Sequence, residues 1–140
     1  MDAHPSPELM DAYRRTRYLA GDGGAFATVG RRSGSIDALL AAHGARSGVF
    51  VTAWNPGSRT QDEAANRAAN ARLQAELAPW RHLPHEGVGD GGWREEGFFV
   101  LDLPEGTAVE LARRFGQVAI VAVLRAEPAR LAFTGVAPAQ

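Results

Sequence analysis

Three stretches of this chain are apolar on both faces: GVFVTAW (48 to 54), GFFVLDL (97 to 103) and VAIVAVL (118 to 124). A strand with one wet face alternates apolar and polar residues, so strands without that alternation must be covered on both sides. Such strands read as buried in a sheet, and helical patterns alternate with them along the chain. Ser6-Pro7-Glu8 opens a helix with a side-chain cap, a proline in the first turn and an acid at the positive end, and Leu9, Tyr13 and Thr16 mark a narrow face ending near Tyr18. Ser35 is placed to cap a second helix bearing Ile36, Leu39, Leu40 and His43, stopped by Gly44. Thr60 and Glu63 have capping-box spacing and start a long helix running to about Ala78, before Pro79. Thr107 and Glu110 repeat that spacing ahead of the stripe Ala108, Leu111, Ala112 and Phe115.

AFATVG (25 to 30) adds a short strand and ARLAFTG (129 to 135) an edge strand, while RHLPHEGVGDGGWR (81 to 94), with four glycines and a proline, reads as the longest irregular segment. The order α-β-α-β-α-loop-β-α-β-β predicts an α/β (or α+β) layered fold. One domain spans residues 1–140, with a mixed sheet of about five strands packed by about four helices. The last residues, 136–140, are expected to fray.

Composition excludes several chemistries. There is no cysteine, hence no disulfide, thiol nucleophile or cysteine-bound metal, and the expected compartment is the cytoplasm. All 15 basic residues are arginine, so a Schiff-base lysine and a P-loop lysine are both impossible. The formal net charge of −1, with acids interspersed, leaves no basic stripe for nucleic acid. No apolar run approaches the roughly 20 residues a membrane span needs, and MDAHPSPELMD has neither the basic nor the apolar region of a secretory signal.

The long helix raises the central question. Asn66, Asn70, Leu73 and Leu77 follow one another at spacings of 4, 3 and 4, so two amides share the stripe that faces the core. Trp54-Asn55-Pro56-Gly57 turns the chain just ahead, at the carboxyl end of strand 48–54, where open α/β sheets bind ligands. One reading makes Asn55, Arg59, Asn66 and Asn70 the wall of a polar cleft. The other makes the amides anchors for the backbone of the irregular 81–94 loop, since a buried amide must find partners. The pattern admits both.

In the glycine-rich segment, Gly87, Gly89, Gly91 and Gly92 form permissive backbone without the strand-and-helix context of a nucleotide fingerprint. Glu95 and Glu96 precede a strand and must point to opposite faces, so at most one enters a cleft. His82 and His85 are expected to face solvent, and no metal site is assigned. No G-x-S-x-G is present, and Ser58 lies in a turn with no evident base. Gln117, at the head of the most hydrophobic strand, is suited to a neighbouring backbone or to a ligand.

Ala12-Tyr13 with Thr16-x-Tyr18, Thr52-Ala53-Trp54-Asn55-Pro56, Asn66-x-x-x-Asn70-x-x-Leu73, Gly92-Trp93-x-Glu95-x-Gly97 and Phe115-Gly116-Gln117-x-Ala119 together make the chain similar to a small bacterial family, domain of unknown function 3293. Gly97 stands where a serine is expected in that pattern. The resemblance implies that these polar positions belong together, and it supplies no reaction. The expected function is binding of a small anionic or nucleotide-like ligand, lined by Tyr13, Trp54, Asn55, Arg59, Asn66, Asn70, Trp93, Arg94, Glu95 and Gln117. Arg59 or Arg94 would pair with the anion, and Glu95 is the best acid or base. The rival is a protein-interaction module without catalysis, its Trp, Tyr and Arg side chains forming the contact patch. No cofactor is indicated.

Overall fold

The computed structural model describes residues 5–139. A seven-stranded sheet runs in the order β2-β1-β4-β5-β3-β6-β7. Its strands are β1 (Arg17–Ala20), β2 (Ala25–Ala27), β3 (Ser47–Val51), β4 (His82–Val88), β5 (Arg94–Leu101), β6 (Ala119–Leu124) and β7 (Arg130–Phe133). Four helices accompany them: α1 (Pro7–Arg15), α2 (Gly34–Ala42), α3 (Glu63–Glu76) and α4 (Glu105–Arg114). The layered α/β class and the four helices agree with the sequence, but the strands number seven rather than about five. Every pairing between these strands is antiparallel. The parallel pairing a mixed sheet implies is reduced, among the described residues, to the isolated bridge Val29–Ala129.

That bridge shows the sheet curling until the exit of β2 meets the entry to β7. Gly30 donates to the carbonyl of Ala129 at 2.7 Å, and Ala129 donates to that of Arg31 at 3.0 Å. The inner face packs Tyr18, Ala27, Phe50, Phe99, Val121 and Ala129 against Ile36 and Leu40 of α2. The outer face packs Val49, Val51, Val100 and Ile120 against Ala69 and Leu73 of α3 and Ala108, Leu111 and Ala112 of α4. Val49 and Val51 go out while Phe50 goes in, as the period of two requires. This is why β3 and β5 carry apolar residues on both faces.

The two added strands correct the sequence reading. The first helix stops at Arg15 rather than near Tyr18, because Thr16 is already extended and Tyr18 turns inward as a strand residue, its ring 5.8 Å from that of His85. The segment 81–94 is no loop for most of its length. It is β4 followed by the tight 3-10 turn Asp90–Gly92, and β4 pairs with β5 along its whole length. His85, expected in solvent, is buried on the inner face beside Phe50 at 4.8 Å. Glycine and proline hid a strand that has one aliphatic inward position, Leu83, while the other two, His85 and Gly87, are polar or small.

The helix starts move by a few residues as well. Ser33, not Ser35, caps α2 by accepting from Ile36 N–H at 3.1 Å, while Ser35 accepts from Phe26 N–H. Asp62, not Thr60, caps α3, and α4 follows Pro104, placing Thr107 inside its first turn. At the tail, Ala139 N–H donates to Gly57 O at 2.7 Å. Gln140 and the first four residues of the N-terminal stretch lie outside the described residues.

Close packing across the inner face leaves positions where the chain can carry no side chain, Gly48 foremost. A Cβ on Gly48 of β3 would fall within the Phe99 ring. Overpacking a filled core typically costs about 1–3 kcal/mol. Gly48→Ala is therefore expected to lower stability by at least that amount, read as a lower urea midpoint with unchanged slope.

Candidate functional site

Beyond Val51 the chain leaves the sheet, and residues 52–55 lose their ladder partners inside the protein. Buried backbone groups must be paired, and here side chains do it. Asn70 Oδ1 accepts from Ala53 N–H at 2.9 Å and its Nδ2 donates to Glu96 O at 2.9 Å. Thr52 Oγ1 accepts from Trp54 N–H at 3.0 Å. Asn66 Oδ1 accepts from Asn55 N–H at 2.8 Å and from Gln61 Nε2 at 2.7 Å, and its Nδ2 donates to Asn55 Oδ1 at 2.9 Å. Gln117 Nε2 donates to Trp54 O at 3.1 Å. The amides on the α3 stripe thus hold the exit of β3, rather than the 81–94 segment, and they do so with both their donors and their acceptors.

The clamped segment is bent sharply. Asn55, Gly57 and Ser58 all lie at positive φ, at 48°, 68° and 63°. Glycine adopts this region freely and asparagine tolerates it, but for serine it is an uncommon, strained conformation. The outcome is that Ser58 is presented toward Tyr13 on α1, and the two line one cavity.

Between α1, β1, the turn at 89–93 and Ser58 lies a cavity of about 460 Å³, lined by Leu9, Ala12, Tyr13, Tyr18, Trp93 and Glu95, with Glu8, Arg15, Thr16, Gly89 and Asp90 completing it. This size is in the range of small-molecule sites. Glu95 and Glu96 point to opposite sides of β5. Glu96 lies 3.4 Å from Arg67 and 3.7 Å from Arg94. Glu95 enters the cavity and, among the described residues, forms no ion pair. Burial pushes its carboxyl up to about 7. The side chain as a whole is only partly buried, so the cause is the depth of the carboxyl end. Tyr13 is also raised, first by burial and then by the charge of Glu95, against the lowering effect of Ser58.

The structure divides the residues expected to share one cleft. Tyr13, Trp93 and Glu95 meet in the cavity just described. Trp54, Asn55, Asn66 and Arg94 line a second, of about 490 Å³, on the other side of Trp93. Asn70 joins Trp54, Arg67 and Glu96 around a third, of about 300 Å³. Arg67 stands 5.9 Å over the Trp54 ring. Gln117 is buried on the backbone, and Arg59 is exposed and lines none of the three. Ser58, Tyr18 and Asp90 were not among the expected site residues. The strand-like spacing Thr16-x-Tyr18 was the available signal for Tyr18; nothing local marks Ser58. A Cβ on Gly97 would meet Val51 O and Thr52 Cβ, so a serine there requires a backbone shift. Among the described residues no three His, Asp or Glu side chains group as a metal site, and no helix is long and apolar enough to cross a membrane.

Two consequences are measurable. Asn66→Ala leaves Asn55 N–H buried without its acceptor and should cost about 1–3 kcal/mol in a urea titration. Glu95 and His85 act on stability in opposite directions. Glu95 rises from 4.5 to about 7, so the folded state holds a proton the unfolded state has lost, and stability falls as pH rises from 4.5 through 7. Burial lowers His85 from 6.5 to about 4, so its contribution is present above 6.5 and lost as pH falls through 4. The wild type should therefore be nearly flat between the two carboxyl and imidazole reference values. Glu95→Gln should unmask a rise in stability from about pH 4 to 6.5 and be more stable than wild type at pH 8, by roughly 1–3 kcal/mol. A series of unfolding curves across this pH range checks both.

The family model described as "Protein of unknown function (DUF3293)" matches residues 51–120, from the end of β3 into β6. No curated protein and no solved structure matches the chain. The matched span is half of the 140 residues and holds Asn55, Asn66, Asn70, Glu95 and Gln117, and on that match the chain belongs to the DUF3293 family.

Proposed function

We propose that the protein binds a small ligand in the cavity between α1, β1 and the 89–93 turn. The observation that carries this reading is Glu95: a carboxyl set among Tyr13, Tyr18 and Trp93, without a counter-ion among the described residues, lining a cavity of ligand size. A structural carboxylate at such depth is normally paired, because the unpaired charge is costly. Perturbed, unpaired titratable groups in clefts mark functional sites more often than structural ones. The flat aromatic walls fit the planar ligand expected from the sequence. The anion does not follow, since Arg59 lies apart and Arg94 donates to Glu86 at 2.8 Å. A carboxyl that titrates near pH 7 can also accept or return a proton from a bound molecule, which keeps Glu95 as the candidate acid or base. The cytoplasm remains the proposed compartment, on the lack of cysteine.

The test is a fragment screen by amide and indole NMR shifts on the full chain, repeated with Ala12→Trp. Ala12 is exposed on α1 and lines the cavity, so the indole fills it without entering the core. Hits should move Tyr13, Trp93 and Glu95 and be lost in the variant, with its thermal midpoint unchanged. Hits that cluster on the strands far from α1 and survive Ala12→Trp would overturn the proposal.

A further inference from the structure

The chemistry around this cavity specifies its ligand more closely, on the reading that it is a binding site. Its charged lining consists of Glu8 and Arg15 on α1, Asp90 in the 90–92 turn and Glu95 on β5. The one guanidinium is engaged, Arg15 Nε lying 2.7 Å from Asp90 Oδ2. Glu8 and Glu95 are then left without a cation among the described residues. The other titratable groups facing Glu95 are the hydroxyls of Tyr13 on α1 and Tyr18 on β1, which are neutral at ordinary pH, and burial raises both further. An anion entering here would meet a surplus of negative charge at close range. A cation would meet a carboxylate and three electron-rich rings.

We infer that the cavity takes an organic ammonium ion carried on a flat apolar body, with the ammonium held by Glu95 and the rings of Tyr13, Tyr18 and Trp93. Aromatic walls attract cations through the ring quadrupole, most strongly where water is displaced. A carboxylate among them adds full charge, and an N–H of a protonated amine can donate to it. The two features reinforce each other, because a buried carboxylate needs a counter-ion and an aromatic pocket stabilises one. A ring with a short cationic arm fits within about 460 Å³. Binding the cation also draws a proton off Glu95, whose carboxyl otherwise titrates at about 7, so affinity rises as pH passes upward through that value.

Three probes of one shape isolate the charge: benzylammonium, benzyl alcohol and benzoate, titrated into the full chain at constant ionic strength and followed by the shifts of Tyr13, Trp93 and Glu95. At pH 8 the expected order is benzylammonium tightest, by about tenfold over benzyl alcohol, with benzoate weakest. The preference should shrink at pH 6 and fall in Glu95→Gln to the smaller part that the rings supply; this variant is expected to fold at least as stably as wild type. Benzyl alcohol or benzoate binding as tightly as benzylammonium at these residues would overturn the ammonium assignment and leave the binding site standing. A preference of undiminished size in Glu95→Gln would also overturn it. Shifts with none of the probes at these residues would overturn both the assignment and the cavity reading beneath it.

Discussion

Everything at this end of the sheet depends on how the backbone beyond β3 is satisfied. Once Thr52–Asn55 leaves the ladder, its buried N–H and C=O groups have no strand to bond. Asn70, Asn66, Thr52 and Gln117 replace that strand, one group at a time. An amide suits the role because it offers a donor and an acceptor at one tip, and both are used here. Alanine or leucine on the same stripe would bury equally well and leave the backbone unpaired. The clamp in turn ties α3 to β5 through Glu96 O. It also fixes the left-handed turn that carries Ser58 to Tyr13.

Glu95 depends on this arrangement at one remove. Its neighbour Glu96 is held on the outer face, where its carbonyl accepts from Thr52 and Asn70 and its carboxylate faces Arg67 and Arg94. The pleat then leaves Glu95 no choice but the inner face. The inner core ends there, and past Tyr18 and His85 aliphatic packing gives way to the cavity under α1. A carboxyl driven into that position by its neighbour's tethers is desolvated without compensation. The raised pKa is thus a product of strand register, and register is set by residues that never touch the cavity.

The sequence exposed the parts of this design that depend on periodicity. Two-sided apolar runs identified β3, β5 and β6, and the spacing of Asn66 and Asn70 placed both amides on the packed stripe. What it concealed followed from residues whose role is tertiary. β4 carries His85 and Gly87 where a strand would normally show aliphatic side chains. His85 is tolerated inside because its Nδ1 lies 2.8 Å from Leu19 O and its ring packs among Tyr18 and Phe50. No local pattern announces such a strand. The grouping of the site was hidden for the same reason. Tyr13 and Glu95 lie far apart in the chain and meet only because β1 pairs with β4 and β4 with β5. Arg59 and Arg94 looked available by residue type, yet one is exposed and the other bonds Glu86, its diagonal neighbour on β4.

The curl of the sheet has an effect unrelated to ligands. An open sheet ends in two rows of bare peptide groups, each a template on which another chain can align. Here Ala129, at the entry to β7, exchanges bonds with Gly30 and Arg31. The N–H and C=O of Phe26 on β2 are occupied by Ser35 and Ser33 from the start of α2. The two extremities of the sheet therefore shield one another. A chain so rich in strands that are hydrophobic on both faces is, by this closure, guarded at those points against stacking onto copies of itself.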